Sequence, residues 1–399
     1  MRKGVMLRTD KRYKKTILTT EGYLTWSRNV LRPKSKEDLL RLQKMEKVKS
    51  IAPIDSYLKI DRLPFKITIA MMLQIARHAI EFHSYQDVSD FYKNNWDIQI
   101  SDDQIRQVVD YIGAIVYEED CRLAEEALKD YNPQMVGEYA KADDNTLYLE
   151  MDGAMFNTRG VSSGWRENKL GMAFDSKNIY TYTDKNGQLQ HRILKREYIS
   201  YAGNAEDFRK HLLALARRNG CETAKYVIIL SDGAAWIKRL KKDLFPYAIQ
   251  ILDLFHLKEN VGKFAIFHFK NNYEEYHPWA NNVCEQLENG RWKEVLSLRE
   301  LLPYKDGKTV PEGIVNLYHY VWNNRDCIDY PHYKRMGFFV GSGAIESGNK
   351  TVLQERLKLP GMRWNIDKAQ GVLSLRAKDK SGLWESYVVP LVFNYIGQK

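Results

Sequence analysis

Three acids stand out as groups able to do chemistry: Asp152 in "LEMDGAMF", Asp232 in "IILSDGAAW" and Glu346 in "VGSGAIESGN". Each aspartate closes a run with the pattern of a β-strand. Each is followed by glycine, which lets the backbone turn away and a ligand approach closely. Glu346 is flanked by Gly343, Ala344, Ser347 and Gly348, which leave room for something bulky. The basic stretch that follows, "KTVLQERLKLPGMR", points to an anion as that partner. Oxygen-only ligands of this kind suit hard cations, Mg²⁺ or Mn²⁺, which bind a few carboxylates and keep water and phosphate oxygens for the rest. Two such ions, about 3.5–4 Å apart in the general scheme, activate the attacking oxygen and stabilise the leaving one in an in-line phosphoryl displacement. That chemistry needs no covalent nucleophile from the enzyme. A single Asp-Gly after a strand is often only a turn, so the weight rests on the ordered set of three.

The elements around these acids must bring them together. Leu147, Leu149 and Met151 alternate with Tyr148, Glu150 and Asp152, the period of a strand. Further strands are expected at 169–175 and 190–202. "NAEDFRKHLLALARRNG" follows as a helix, with Asn204 as N-cap and Gly220 as its stop. Next come "KYVIILSD" as a buried strand, "GAAWIKRLKKDL" as a helix and "YAIQILD" as a strand. Three strands, helix, strand, helix, strand is the order of a ribonuclease-H-like α/β sheet. Residues from about 254 to 340 are helical and rich in Trp and Tyr, an all-α insertion, before a helix resumes at 344–357. Upstream, 11–32 reads as two short strands around Glu21 and Gly22, 33–63 as a charged helical segment, and 64–130 as helical, with a boundary near 130–145. The expected division is 1–63, 64–130, a catalytic domain over 145–378 with its insertion at about 260–340, and a tail over 379–399.

"MDGA", "LSDGAAW", "LDLFHLKENV" and "GSGAIESGNK", in this order, resemble the DDE transposases of bacterial insertion sequences, particularly the mutator-like group with a helical insertion before its last acid. The likeness covers roughly residues 145–378. It implies that Asp152, Asp232 and Glu346 form a metal-binding catalytic triad holding two Mg²⁺ or Mn²⁺ ions. Asp253 and His256 match that group's Cys/Asp-x-x-His signature, one helical turn apart on one face. The expected role is support, with His256 orienting a phosphate or a neighbouring carboxylate. Equally, Asp253 can simply cap the helix that it precedes.

Residues 84–116 have the rhythm of a helix-turn-helix. Ser101 and Gln104 form a capping box, and Ile105, Val108, Val109 and Ile112 make the buried stripe. Gln104, Arg106 and Gln107 then face outward where a recognition helix meets base edges, although Asp102, Asp103 and Asp110 dilute the charge. Near the catalytic acids, Lys350, Arg356, Lys358 and Arg363 are candidates to hold a DNA backbone, and Trp364 to stack on an unpaired base. Trp279, Trp292 and Trp322 of the insertion are first of all core candidates. In the resembled group an insertion tryptophan can stabilise a distorted DNA end.

The 399 residues include 61 Lys and Arg against 51 Asp and Glu, a formal charge of +10, which favours polyanions. The four cysteines match no zinc spacing, and no apolar run is long enough to span a bilayer. The expectation is therefore a cytoplasmic, non-membrane transposase acting on double-stranded DNA, both terminal inverted repeats and target, as a homodimer or higher oligomer. The alternatives are a metal-dependent nuclease of the same fold without strand transfer, and a non-catalytic DNA-binding protein derived from a transposase.

Overall fold

The computed structural model describes residues 4–46, 48–136, 145–187, 189–341 and 343–398. Half of the boundary expected at 130–145, residues 137–144, thus lies outside the described residues. The chain forms two compact units, one built up to Glu119 and again from Asp367, the other from Asp120 to Ile366. The sequence reading carried the catalytic segment on to 378; residues 367–378 belong instead with the N-terminal unit, because the helix there is buried among its helices.

The first unit begins with an antiparallel ribbon, β1 (Leu7–Thr19) and β2 (Gly22–Pro33), turning at Gly22 with φ +101°. This is longer than the two short strands expected. Helices α1 (Lys36–Glu46) and α2 (Pro53–Tyr57) follow, then α3 (Ile69–Glu81), α4 (Tyr85–Trp96) and α5 (Asp102–Ala127). Their starts are written in the sequence: Thr68 caps α3, Ser84 and Asp87 form a reciprocal box on α4, and Ser101 and Gln104 do the same on α5. Ile105, Val108, Val109 and Ile112 are all buried, as their spacing predicts.

The second unit holds a five-stranded mixed sheet made of β3 (Thr146–Thr158), β4 (Gly164–Asp175), β7 (Glu197–Ala202), β8 (Tyr226–Ser231) and β9 (Ile249–Leu252). A separate hairpin, β5 (Ile179–Thr183) with β6 (Leu189–Ile193), lies between β4 and β7 in sequence, so the single strand expected at 190–202 is in fact two strands in different sheets. The sheet order is β7-β4-β3-β8-β9, with β4 antiparallel to its neighbours and β3, β8 and β9 mutually parallel. Leu147, Leu149 and Met151 pack on one face with Phe208 and Leu212 of α6 (Ala205–Arg218) and Ile237 and Leu240 of α7 (Ala235–Leu244). The alternate residues, Tyr148, Glu150 and Asp152, therefore point to the opposite face.

After β9 come only helices and short turns among the described residues: α8 (Leu254–His268), α9 (Tyr273–Glu288), α10 (Trp292–Leu296), α11 (Leu302–Lys305), α12 (Leu317–Asn324) and α13 (Tyr330–Arg335). The insertion is tied to the strand ends, since Tyr320 Oη donates to the Asp232 carbonyl at 2.9 Å and Tyr330 Oη to the Leu252 carbonyl at 3.0 Å. The chain then enters α14 (Gly343–Gly348), a wide π-type turn over Asn349–Gln354, and α15 (Glu355–Leu357). Helices α16 (Ile366–Lys380) and α17 (Val389–Gln398) complete the first unit. There α5 and α16 cross so closely that a Cβ on Gly113 would lie 2.9 Å from the Gly371 backbone. Among the described residues, no helix is long and apolar enough to cross a membrane.

Candidate active site

Three acids lie where three neighbouring parallel strands stop pairing. The pairing of β3 with β8 ends at Glu150 opposite Leu230, and Asp152 is two residues further on. Asp232 is the first residue after β8, and Asp253 the first after β9. Asp152 is not at a strand end as the sequence suggested: β3 runs on to Thr158, paired with β4, and Asp152 sits opposite Leu170. Gly153 is a strand residue. A Cβ there would meet only the movable carboxylate of Glu167, so the glycine neither turns the chain nor is required for space. Gly233 does make a turn, at φ +89°, and a Cβ would meet Leu252 at 2.9 Å and Asn324 at 3.0 Å.

Each aspartate is oriented by donors. Asp152 accepts the Gly153 N–H at 2.7 Å on one oxygen and the Asn349 side-chain amide at 2.6 Å on the other. Burial pushes the Asp152 carboxyl above its ordinary range, the two donors pull it back, and the charge of Asp232 pushes it up again. Asp232 accepts the Ala234 N–H at 2.9 Å. Asp253 is buried and caps α8 by accepting the His256 N–H at 2.6 Å.

The same Asp253 oxygen lies 3.2 Å from His256 Nδ1, and His256 Nε2 lies 3.6 Å from Glu346 Oε1. Asp253 above all, helped by Glu346 and Asp232 and opposed by burial, raises the imidazole to about 9, so it is cationic at neutral pH. His256 thus links an acid at the sheet edge to the acid on α14. Both expected supporting residues are brought to the site.

Glu346 itself is more than half exposed at its side chain. Its helix reaches the sheet through two contacts that the sequence reading did not assign. Glu150, fully buried, accepts the Ile345 N–H at 2.9 Å, and burial pushes its carboxyl up to about 8. Asn349 is buried and holds Asp152. Gly348 permits the approach, since a Cβ there would lie 2.7 Å from the Tyr198 ring. Glu150 was visible as the residue two before Asp152 on the same strand face, and Asn349 as one helical turn past Glu346.

The donor set is all oxygen apart from one imidazole, and Asp152 and Asp232 repel each other, which is the chemistry a hard divalent cation would relieve. Among the described residues no three His, Cys, Asp or Glu side chains are gathered tightly enough to hold a metal alone. A cation here would need water and phosphate oxygens to complete its shell.

The other expected contacts divide. Lys350, Lys358 and Arg363 are exposed, as are Gln104, Arg106 and Gln107 in the first unit. Arg106 is engaged by Asp103 and, at 3.6 Å, by Asp110. Arg356, expected on the surface, is buried instead, with its guanidinium 4.9 Å from the centre of the Trp364 ring. Trp364 is half-buried and its backbone bridges to the end of β3, donating to the Asn157 carbonyl at 3.0 Å. Arg356 and Trp364 therefore stack on each other inside the unit. Of the insertion tryptophans, Trp279 packs with Phe264 and Phe269, whereas Trp322 is 44% exposed on α12, the helix whose Tyr320 holds Asp232.

None of the curated proteins matches the chain. Over residues 7–383 it matches the uncharacterised protein family UPF0236, and it belongs to that family.

Proposed function

We propose that the chain is a DDE-type DNA transposase with a ribonuclease-H-like catalytic domain, cutting and joining the ends of its own insertion sequence. The observation that carries this reading is the meeting of Asp152, two residues past the point where β3 stops pairing with β8, and Asp232, the first residue after β8, with Glu346 joined to them electrostatically through His256. The sheet order, in which the first strand is central, the second antiparallel and the fourth and fifth parallel, supports the fold reading. So does the helical insertion between the second and third acids.

In this reading Asp152, Asp232 and Glu346 would hold Mg²⁺ or Mn²⁺, whose chemistry there would be to activate the attacking oxygen and stabilise the leaving one. Asn349 and the Gly153 N–H fix the Asp152 carboxylate, and the Ala234 N–H fixes that of Asp232, so their oxygens are pre-aimed. His256 supplies positive charge beside the scissile phosphate and orients Glu346. Asp253, buried beneath it, keeps the imidazole protonated. Water serves as the nucleophile in the cut, and the freed DNA 3′ hydroxyl serves in the joining step. Bringing two DNA ends together calls for at least a dimer, in the cytoplasm where the DNA is.

The test is to incubate the full chain with Mg²⁺ and DNA carrying the inverted repeats that flank its reading frame, together with a target plasmid. Joined products are expected. Cleavage without joining would leave the nuclease reading in its place, and duplex binding without cleavage the non-catalytic one.

A further inference from the structure

The ribbon β1–β2 lies in the first unit and plays no part in the site above. A bulge between Thr9 and Arg12 resets its register, after which the two faces differ sharply. On the inner face Lys15 and Arg28 share the buried carboxylate of Asp55, at 3.4 and 2.8 Å. Their charge is spent within the unit. The outer face carries Arg12, Lys14 and Thr16 from β1 opposite Asn29, Ser27 and Thr25 from β2, all exposed. None of the six is acidic and each carries a donor, one of the two threonine hydroxyls spending its hydrogen on the other at 2.8 Å. Neither Arg12 nor Lys14 has an ion-pair partner among the described residues.

This face continues into the helix-turn-helix. Thr16, Leu18 and Tyr23 form one wall of a cleft of about 250 Å³ whose opposite wall includes Gln104 and Gln107 of α5. Tyr23 Oη donates to the Gln99 carbonyl at 2.5 Å, pinning the ribbon to the turn before α5. Charged edges also deter strand-to-strand aggregation. That purpose is served by either sign of charge and asks for no run of donors leading to a helix.

We infer that the outer face of this ribbon binds the phosphate backbone of duplex DNA, beside the bases offered to the start of α5. The inference rests on the reading of the chain as a DNA-processing protein, and names a surface outside its catalytic site. Cations and small hydroxyl or amide donors are the groups that grip phosphates and set register, while glutamine amides read base edges.

The experiment is fluorescence anisotropy of the full chain with a labelled random-sequence duplex across a salt series, comparing wild type, R12A/K14A, the charge-keeping R12K/K14R, and K36A/K44A. The last removes two exposed cations of α1 and matches the change in net charge. The result expected is a logarithmic salt slope lower by about 1.8 in R12A/K14A, from about 0.9 per lost phosphate contact. Affinity should fall more than tenfold at moderate salt. R12K/K14R should keep the wild-type slope and K36A/K44A should lose far less. Equal losses in the two alanine pairs, or a wild type that binds no duplex, would overturn the inference. A chain that joins DNA ends while R12A/K14A binds normally refutes the ribbon alone; one that binds through the ribbon but never cuts refutes the catalytic reading alone.

Discussion

His256 and Glu346 face each other at 3.6 Å, Nε2 to Oε1, although 90 residues of helical insertion and loop separate the strand-end turn from α14. The insertion thus returns the chain to the point from which it left. The contact implies that the imidazole sets the direction of the glutamate. Replacing His256 with Asn should leave the fold intact and reduce strand cutting on the order of 10²-fold, the usual effect of a misplaced reacting group. Duplex affinity measured in parallel should stay within a few-fold of wild type. Full activity in the variant would remove His256 from the site.

Asp232→Asn takes away one charged oxygen while preserving the Ala234 N–H contact and the turn at Gly233. Cutting should vanish with both Mg²⁺ and Mn²⁺, and DNA binding should persist because no phosphate contact is lost. The same asymmetry is expected for Asp152→Asn. A D232N protein that cuts like wild type would end the assignment.

The order of strands and helices around Asp152, Asp232 and Glu346 was legible because each element is amphipathic or buried at its own period. The capping pair Ser101–Gln104 marked the start of α5 for the same local reason. What escaped was long-range. The extension of β3 past Gly153 depends on a partner strand, and the division of 190–202 depends on which sheet each half joins. Arg356 reads as a surface cation until its stacking on Trp364 is seen. Glu150 reads as an outward residue of an alternating strand until α14 covers that face.

The crossing of α5 and α16 gives a graded stability test. A Cβ at Gly113 would lie 2.9 Å from the backbone of Gly371, while one at Gly371 would lie 3.2 Å from that of Gly113. Backbone cannot rotate aside as a side chain does. Gly113→Ala should therefore cost about 1–3 kcal/mol by overpacking, and Gly371→Ala less, in urea unfolding of the full chain followed by tryptophan fluorescence. The reverse order would contradict the crossing.

The insertion tryptophans should separate by function. Trp279 is half-buried and packs against Phe264 and Phe269, so Trp279→Ala should destabilise the chain clearly, though by less than the about 3–5 kcal/mol of a fully buried tryptophan. Trp322 is exposed, with Arg325 4.4 Å over its ring. Trp322→Ala should unfold almost like wild type and yet bind single-stranded DNA more weakly, by the roughly 1–3 kcal/mol of a lost base stack. Unchanged binding would assign Trp322 to the surface alone.

Glu150 supplies the last prediction, a pH dependence with an unusual sign. Its carboxyl titrates near 4.5 when unfolded and is pushed up to about 8 in the fold by burial, against the pull of the Ile345 N–H. The folded chain therefore binds the proton more tightly than the unfolded one. The stability this gives is complete below pH 4.5 and drains away as the pH rises to about 8, beyond which the loss is constant. Glu150→Gln keeps an oxygen for Ile345 without the charge, so its unfolding free energy should lose that decline and exceed wild type most clearly at pH 8. Glu150→Ala, which orphans the Ile345 N–H, should instead be less stable than Glu150→Gln throughout, by about 1–3 kcal/mol. Denaturant unfolding in chelator between pH 5 and 8.5 reads all three, and parallel wild-type and Glu150→Gln curves would show that the buried carboxyl does not carry this proton.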